Sequence, residues 1–285
     1  MLAAMTISIS VCDDADALAT FFHHHWSANH VFSRSRALLD WQHLDQAGTH
    51  YNFMVAHDDT RRIVGMLGFI PTARFDDSLE QHGNTIWQST WLVLKSDETK
   101  GQGQAMLREV LARHAWTWTG TVGLSPGTRK IYEALGYRTG VLGRYYLLNP
   151  AIREFTLAEV PPGQPHLEAC GNGTVLTRLD PDSFMAATEG LGLDSSDQVP
   201  RKTRRLIYNR YVLHPFYRYD VFLARAGGDA AIIVTRLATH EGAAALRVVD
   251  YLGAPNAIAR GGKALQRLLE ETGAEYLDFY CCRIA

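Results

Sequence analysis

The 285-residue chain is long enough for two domains, and its 28 Lys and Arg residues against 30 Asp and Glu residues give a formal net charge of −2. With 46% hydrophobic and 20% charged residues it has the composition of a globular protein, which excludes disordered, collagen-like and coiled-coil classes. The lack of a basic surplus disfavours binding to nucleic acid, because that binding depends on cationic contacts with phosphates.

Periodic apolar residues and turn residues predict an α+β arrangement for the first half of the chain. The predicted strands are 7–11, 51–56, 63–70, 85–94 and 119–124, with further strands around 137–148. The predicted helices run from a cap at Asp13 or Asp14 to about His25, from Ser33 to Leu44, over 103–116, and from Pro126 to Gly136. The second and third strands are predicted to form a hairpin, because turn residues lie between them.

A second set of elements follows a stretch rich in proline and glycine at 159–173. We expect residues 151–173 to link a first domain at 6–150 to a second domain at 174–285. The second set repeats the order of the first: strand 174–179, helices after Asp180 and over 201–213, a hairpin at 219–238, strand 245–252, helix 257–272 and strand 276–280. No helix like that at 126–136 follows its last strand, so we expect this second domain to be degenerate or incomplete.

The most informative stretch is 91–108, which predicts a strand, a glycine-containing turn and a helix. Gly101 and Gly103 allow successive backbone N–H groups to converge on one point, and the start of a helix carries a partial positive charge. Lys100 adds a full positive charge. The stretch therefore predicts a binding site for a pyrophosphate, although a turn that only opens a helix has the same pattern.

Two motifs in this region resemble the signatures of one enzyme family. The spacing Lys100-x-x-Gly103-x-Ala105 resembles the acyl-CoA signature of the Gcn5-related N-acetyltransferases (the GNAT superfamily), which has Arg or Gln in the place of the lysine. Further along, the run from Ser125 through Tyr132 to Gly136-Tyr137 is similar to the second signature of that family, which has Asn in the place of the serine and Phe in the place of the last tyrosine.

This resemblance implies two tandem GNAT-like domains, each with a central mixed and largely antiparallel sheet flanked by helices. It also implies that acetyl-CoA or another short acyl-CoA is the cosubstrate, that no metal is needed, and that an amine attacks the thioester directly. The implied cofactor-binding residues are Leu92, Val93, Leu94, Lys100, Gly101, Gln102, Gly103, Gln104, Ala105, Ser125 and Tyr132. In the family, a backbone N–H of the fourth strand, here near Leu92–Leu94, binds the carbonyl oxygen of the thioester.

Tyr132 takes the position that the family uses as the general acid for the departing thiolate. The alternative for this residue is a tyrosine of the core. The second half does not reproduce the acyl-CoA signature, since residues 259–264 read Ala-Arg-Gly-Gly-Lys-Ala. We therefore expect only the first half to bind coenzyme A.

No carboxylate is an evident general base, so the histidines are the candidates, because an imidazole titrates near neutral pH. His43 and His214 are the possible bases, and structural roles for both or a relay of water molecules are the alternatives. The residues predicted to bind the acceptor are Trp41, His43, Tyr51, Trp87 and Trp91. Flat aromatic faces can stack on a sugar or a nucleobase, although core packing also uses such residues.

Short phrases at 51–53, 68–71 and 145–150 resemble tandem-domain enzymes that acylate nucleotide-linked amino sugars for surface polysaccharides. The leading hypothesis is therefore an N-acyltransferase that acts on the amine of a nucleotide-linked deoxy-amino sugar. The alternatives are a catalytically silent module that binds acyl-CoA and regulates a partner, and an aminoacyl-tRNA-dependent bridge-forming transferase. The intact glycine turn and the balanced charge count against the last of these.

The cellular setting is expected to be the cytoplasm. Cys281 and Cys282 are adjacent and cannot easily adopt ordinary disulfide geometry, which favours a reducing compartment. The first residues lack a basic region before their apolar stretch, so no export signal is expected. No apolar stretch approaches the roughly 18 residues that a membrane-spanning helix needs, so no association with a membrane is expected.

Overall fold

The computed structural model describes residues 6–81, 83–161, 169–195 and 199–282. The chain forms two compact units: unit 1 comprises Met1–Ser125 with Gln198–Arg201, and unit 2 comprises Pro126–Asp197 with Lys202–Ala285. The start of unit 2 thus differs from the predicted domain limits at 150 and 174, which stay a prediction. Residues 1–5, where no export signal is expected, and residues 162–168 of the predicted linker lie outside the described residues.

Unit 1 contains a five-stranded sheet in the order β1-β2-β3-β4-β5. Its strands are β1 (Ser8–Cys12), β2 (Tyr51–His57), β3 (Ile63–Pro71), β4 (Thr85–Val93) and β5 (Trp118–Gly120). Neighbouring strands are antiparallel except β4 and β5, which are parallel. The strands β2 and β3 are buried along almost their whole length, which explains their nearly continuous apolar sequences.

The helices of unit 1, except the last of them, begin at side-chain caps that the sequence partly reveals. They are α1 (Ala15–Phe21), α2 (Val31–Arg34), α3 (Arg36–His43) and α4 (Gln102–Arg113). Asp14 caps α1 as predicted, by accepting from the N–H groups of Asp16 and Ala17. The predicted cap at Ser33 is wrong, because Ser35 accepts from the N–H of Leu38 and begins α3 instead. Helix α4 packs on the sheet through a cluster of buried residues: Met54, Ala56, Val64, Leu67, Phe69, Ile86, Met106, Leu107 and Val110.

Unit 2 contains a six-stranded sheet in the order β6-β11-β10-β9-β8-β7. Its strands are β6 (Gly143–Leu148), β7 (Val175–Arg178), β8 (Asp220–Ala226), β9 (Asp229–His240), β10 (Ala243–Gly253) and β11 (Tyr276–Cys281). The pair β10–β11 is parallel and the other pairs are antiparallel. The strand β6 is predicted from the sequence to close the first domain. In the structure it instead pairs with β11, as an edge strand of the sheet of unit 2.

The helices of unit 2 are α5 (Pro126–Ala134), α6 (Phe184–Ala187), α7 (Arg204–Ile207), α8 (Pro255–Ala259) and α9 (Gly262–Thr272). The single helix predicted over 257–272 is therefore two helices, separated at Arg260 and Gly261. Helices α8 and α9 pack on one face of the sheet through buried apolar residues: Ala224, Ala226, Ala231, Ile233, Leu246, Ala257, Leu265, Leu269, Ala274 and Leu277.

The strands β7–β11 repeat the order and directions of β1–β5, which confirms the predicted α+β class and the repeated element order. In each repeat the parallel pair has three residue pairs in register. In each repeat the inner strand of that pair, β4 or β10, carries a bulge after the paired residues. Among the described helices, none is long and apolar enough to cross a membrane.

Candidate active site

The strands β4 and β5 of unit 1 part from each other shortly after they meet. Their pairing ends at Trp87 and Gly120, whereas β4 continues to Val93. Just beyond the last pair, the side-chain amide of Gln88 donates to Thr119 Oγ1 at 3.0 Å. Within the described ladder, the remaining edge of β4 thus faces a notch rather than a neighbouring strand.

A bulge in β4 bends the strand at this notch. The register with β3 shifts between the pairs Leu67–Trp91 and Phe69–Gln88. Gly68 lies opposite the bulge, and a Cβ there would come within 2.6 Å of Ser89 Oγ and 2.7 Å of Thr90 Oγ1. Only glycine fits at this position. The Thr90 Oγ1 atom is buried without a hydrogen-bond partner among the described residues.

The backbone N–H groups of β4 divide between its two edges. The N–H of Leu94 donates to the carbonyl of Val64 at 2.8 Å, so this N–H group points toward β3. Successive backbone N–H groups along an antiparallel strand point to alternate edges. The N–H of Leu92 therefore also points toward β3, and the N–H of Val93 points toward the notch. Of the three predicted residues, Val93 therefore has the N–H that can bind a ligand in the notch, and a donor role for Leu92 or Leu94 is wrong because their N–H groups face β3.

Thr99 holds the turn that follows β4. Its buried hydroxyl donates to the carbonyl of Leu94 and accepts from the N–H of Ser96, and its own carbonyl accepts from the N–H of Gln102 at 3.1 Å. These bonds bring the turn back to the end of the strand. The start of α4 is thereby fixed beside the notch by local hydrogen bonds.

The first turn of α4 is open for an anion. Gly101 has a φ of +83°, a left-handed conformation that favours glycine, and a Cβ there would meet no atom within 4 Å. The first i→i−4 bond of the helix runs from the N–H of Ala105 to the carbonyl of Gly101, so the N–H groups of Gly103 and Gln104 precede the helical ladder. With the exposed side chain of Lys100 beside them, these groups fit a pyrophosphate.

Trp91 lies against this turn. A Cβ on Gly103 would be 2.8 Å from Trp91 Nε1 and 3.0 Å from Trp91 Cζ2. The half-buried indole therefore forms a wall beside the first turn of α4. This contact joins two predicted site residues, one from the strand and one from the glycine turn.

The second motif lies at α5. Ser125 is exposed directly before this helix, as the last residue of the first segment of unit 1, and Tyr132 belongs to unit 2. Tyr132 is only 2% exposed, although the residues on either side of it are exposed. Burial raises the pKa of Tyr132, and so does Tyr137, whose ring packs edge-on at 5.0 Å. Its phenol is therefore protonated at neutral pH.

His43 is not a general base. It is fully buried, and Nδ1 lies 3.2 Å from the carbonyl of Phe69, which can only accept, so Nδ1 carries the proton. Nε2 lies 3.2 Å from the side-chain amide nitrogen of Gln42, which donates to it. Burial lowers the pKa of His43 to about 3. The ring is a core residue whose two nitrogens are both in use.

His214 is also unsuited to accept a proton. Its Nδ1 accepts from the backbone N–H groups of Phe216 and Tyr217 at 3.1 and 3.0 Å, so the neutral ring carries its proton on Nε2 and has no second lone pair. Burial, then Arg236 and Arg210, lower the pKa of His214 to about 4. Its geometry is that of a turn cap.

The other predicted aromatic residues fall into two groups. Trp87 packs edge-on against Trp118 at 5.2 Å, at the point where β4 and β5 still pair. Trp41 packs against Phe75, and the buried Tyr51 donates its hydroxyl to Asp40. Trp87 thus lies at the end of the β4–β5 ladder, and its side chain points to the face of the sheet opposite the cluster that Trp91 joins. The contacts of Trp41 and Tyr51 are those of the packed helix α3.

Sequence reasoning missed the bulge and the role of Thr99. A glycine inside an apolar strand is a signal for a bulge or a close backbone approach, and Gly68 in β3 is such a glycine. Thr99 gives no comparable signal, because its role depends on the distance between the strand end and the turn. Within the described residues, no group of three or more His, Cys, Asp or Glu side chains could hold a metal ion.

Comparison with known proteins tests this architecture. No protein-family model and no curated protein matches the sequence. A GCN5-related N-acetyltransferase structure from Kribbella flavida matches 100% of this chain and 66% of its own, at 14% identity and a TM-score of 0.58. One from Anabaena variabilis matches 98% of this chain and 66% of its own, at 11% identity and a TM-score of 0.56.

The fold is that of the GCN5-related N-acetyltransferases. The predicted resemblance to this superfamily is thereby confirmed at the level of fold. A fungal β-N-acetylglucosaminidase with a GCN5-related glucosamine N-acetyltransferase region also matches, covering 99% of this chain and 36% of its own at 14% identity and a TM-score of 0.56. This chain spans just under two thirds of the length of the Kribbella and Anabaena proteins.

Proposed function

We propose that this chain is an N-acyltransferase that uses acetyl-CoA or another short acyl-CoA. The observation that carries the proposal is the open notch of unit 1, where β4 and β5 part, β4 bulges, and the N–H groups of Gly103 and Gln104 precede the ladder of α4. The GNAT fold of the chain supports this reading of the notch.

The proposed reaction is a direct transfer. The nitrogen of the acceptor amine forms a bond to the thioester carbonyl carbon, the carbon–sulfur bond breaks, and its electron pair leaves with sulfur. The amine loses one proton, and the thiolate of coenzyme A gains one. In this scheme the N–H of Val93 binds the carbonyl oxygen while negative charge develops on it.

The remaining roles follow from the chemistry of the residues. Lys100 and the N–H groups of Gly103 and Gln104 bind the pyrophosphate of coenzyme A, and Ser125 binds the cofactor as its counterpart does in the family. Tyr132, neutral at physiological pH, gives its proton to the thiolate. Both ring nitrogens of His43 are hydrogen-bonded, and the lone pair of neutral His214 lies on Nδ1, which accepts two backbone N–H groups. We therefore assign deprotonation of the amine to water.

The proposed acceptor is the amine of a nucleotide-linked deoxy-amino sugar in the cytoplasm. Trp91 lies beside the first turn of α4, and Trp87 lies at the end of the β4–β5 ladder; aromatic side chains of this kind suit a sugar ring. One structural neighbour is named as a glucosamine N-acetyltransferase, which makes amino sugars the first acceptors to test.

A thiol-release assay tests the proposal. Purified protein is mixed with acetyl-CoA and, separately, with glucosamine, nucleotide-linked amino sugars, amino acids and polyamines, and free coenzyme A is measured over time. We expect steady release with a nucleotide-linked amino sugar and none with Gly103→Val. Binding of acetyl-CoA without release for any amine would contradict the enzyme and favour a silent binding module.

A further inference from the structure

A polar site lies on unit 2, away from its apolar core. Leu246 and Leu277 point into the core on which α9 packs, and side chains alternate along a strand. The next residues, Arg247 and Asp278, are paired in register and therefore point to the opposite face of the sheet. Arg144 of the edge strand β6 joins them there.

One buried carboxylate holds two arginines on this face. The Asp278 side chain is only 1% exposed. Its Oδ2 accepts from Arg144 Nε at 3.2 Å and Nη2 at 2.9 Å, and its two oxygens accept from Arg247 Nε and Nη2, each at 3.0 Å. Each guanidinium thus donates two hydrogen bonds to Asp278 through Nε and Nη2, which fixes the orientation of its plane.

The two arginines have binding capacity beyond this carboxylate. Their side chains are 46% and 44% exposed, and each guanidinium has five N–H donors, of which Asp278 engages two. One positive charge would neutralise Asp278, so the trio carries a surplus of one. Arg236 of β9 is paired in register with Arg247, and it adds a further positive charge to the same face.

Exposed tyrosine rings flank the trio. Tyr280 is paired with Arg144 and Tyr146 with Asp278, and both side chains are half exposed. The Arg144 guanidinium lies over the ring of Tyr280 at 5.8 Å. Fixed guanidiniums next to exposed aromatic rings suit a ligand that combines phosphates with a flat or ring-shaped group.

We propose that this arginine face, formed by Arg144, Arg247, Asp278, Tyr146 and Tyr280, binds the diphosphate of a nucleotide. Arg144 and Arg247 bind the phosphates, Asp278 positions both guanidiniums, and the base or sugar lies on a tyrosine ring. The proposal is independent of acyl transfer by unit 1, although a nucleotide-linked acceptor would present this chemistry.

Calorimetry with uridine diphosphate tests it in a Gly103→Val background, which keeps the nucleotide out of the notch of unit 1. Coenzyme A is left out, because it is itself a nucleotide diphosphate and would compete for the arginine face. Arg144→Gln and Arg247→Gln should each weaken binding about tenfold or more, because each removes charged hydrogen bonds. The matched control is Arg178→Gln, which removes an arginine paired with Asp220 at the other edge of the same sheet. Its affinity should stay unchanged.

Further arms separate positioning from simple charge attraction. Asp278→Asn adds one net positive charge, so simple attraction predicts tighter binding, whereas loss of positioning predicts weaker binding. Inorganic pyrophosphate should bind more weakly than uridine diphosphate, because it cannot use a tyrosine ring. No binding of uridine diphosphate, equal loss in the Arg178 control, or tighter binding by a folded Asp278→Asn protein would overturn the proposal. None of these outcomes depends on acetyl-CoA turnover.

Discussion

Units 1 and 2 share a strand order but differ at the turn that opens the long helix. In unit 1, Gly101 is left-handed and open to solvent. In unit 2, a Cβ on Gly262 would lie 1.9 Å from the carbonyl oxygen of Cys170, and the N–H of Lys263 donates to the carbonyl of Gly171 at 3.0 Å. The chain itself thus occupies the start of α9, where α4 remains accessible.

The bulges differ in the same sense. In β4 the bulge leaves Thr90 Oγ1 buried and without a partner among the described residues. In β10 the bulge precedes Asp250, whose carboxylate accepts from Lys202 and, at 2.7 Å, from the hydroxyl of Tyr211. The sheet of unit 2 therefore uses its bulge for internal bonds, whereas the bulge of unit 1 leaves a buried hydroxyl without a partner among the described residues. A shared fold does not imply a shared site.

Tyr132→Phe has the largest expected effect and tests whether the phenol of α5 takes part in the chemistry. Loss of a positioned acid should lower turnover by about 10²- to 10⁴-fold while acetyl-CoA affinity barely changes. Steady-state kinetics and calorimetry on the same protein measure both. Tyr137→Phe is the matched control, because its ring packs on that of Tyr132. Near-normal turnover in Tyr132→Phe would remove this residue from the mechanism and leave the proton to water.

Gly262→Ala and Gly103→Ala should give opposite results. The new methyl group at Gly262 meets the backbone of Cys170, which cannot move easily, so we expect a loss of about 3 kcal/mol in the free energy of unfolding and unchanged coenzyme A affinity. At Gly103 the neighbour is the Trp91 side chain, which can shift, so stability should fall less while affinity falls more. Denaturant titration and calorimetry decide. Equal effects on affinity would break the comparison.

Asp250→Asn probes the bulge of unit 2. Burial raises the pKa of Asp250, but Lys202 and Arg210 outweigh it, and the net pKa lies below its ordinary value of 3.8. The carboxylate therefore stabilises the fold above that value, and this contribution disappears as pH falls through the lower folded pKa. At pH 7 we expect Asp250→Asn to lower the free energy of unfolding by about 2 kcal/mol, a moderate amount because the partner Lys202 is partly exposed. Below pH 4 the difference from wild type should be smaller.

The matched variant in unit 1 is Thr90→Val. It keeps the shape of a side chain whose hydroxyl has no partner among the described residues, so stability should change by less than about 1 kcal/mol. Melting curves of the two variants from pH 3 to 7 make the comparison. A loss at Thr90 as large as that at Asp250 would mean that the hydroxyl already supports the fold.

Lys100→Ala has the smallest expected effect on the donor site. One charged hydrogen bond to a partly solvated phosphate is lost, so affinity for coenzyme A should fall by about 1 to 2 kcal/mol. The backbone N–H groups of α4 would still bind the pyrophosphate. Abolished binding in a calorimetric titration would instead show that the lysine dominates and that the glycine turn contributes little.

The sequence predicted the elements well because most of them rest on local signals. Apolar runs at 51–57 and 63–71 bury both faces of central strands, and Asp14 caps α1 through bonds to its immediate neighbours. The glycine turn could be found for the same reason, since Lys100–Ala105 is a continuous stretch. Local chemistry is visible in a single window of sequence.

What the sequence could not supply depends on distant contacts. The pairing of β6 with β11 joins residues far apart in the chain, and no local pattern encodes it. The burial of His43 against Phe69, and the cap that His214 gives to its own turn, remove both candidate bases for reasons of geometry. The asymmetry of the two helix starts likewise depends on Cys170 and Gly171, which lie far from α9 in sequence.

The most direct test of this asymmetry is the stoichiometry of acetyl-CoA binding. Calorimetric titration of the whole chain should saturate at one molecule per chain, because the start of α4 is open and the start of α9 is filled by backbone. Gly103→Val should abolish this binding. Saturation at two molecules per chain, or unchanged saturation in the Gly103 variant, would contradict the assignment of the site to unit 1.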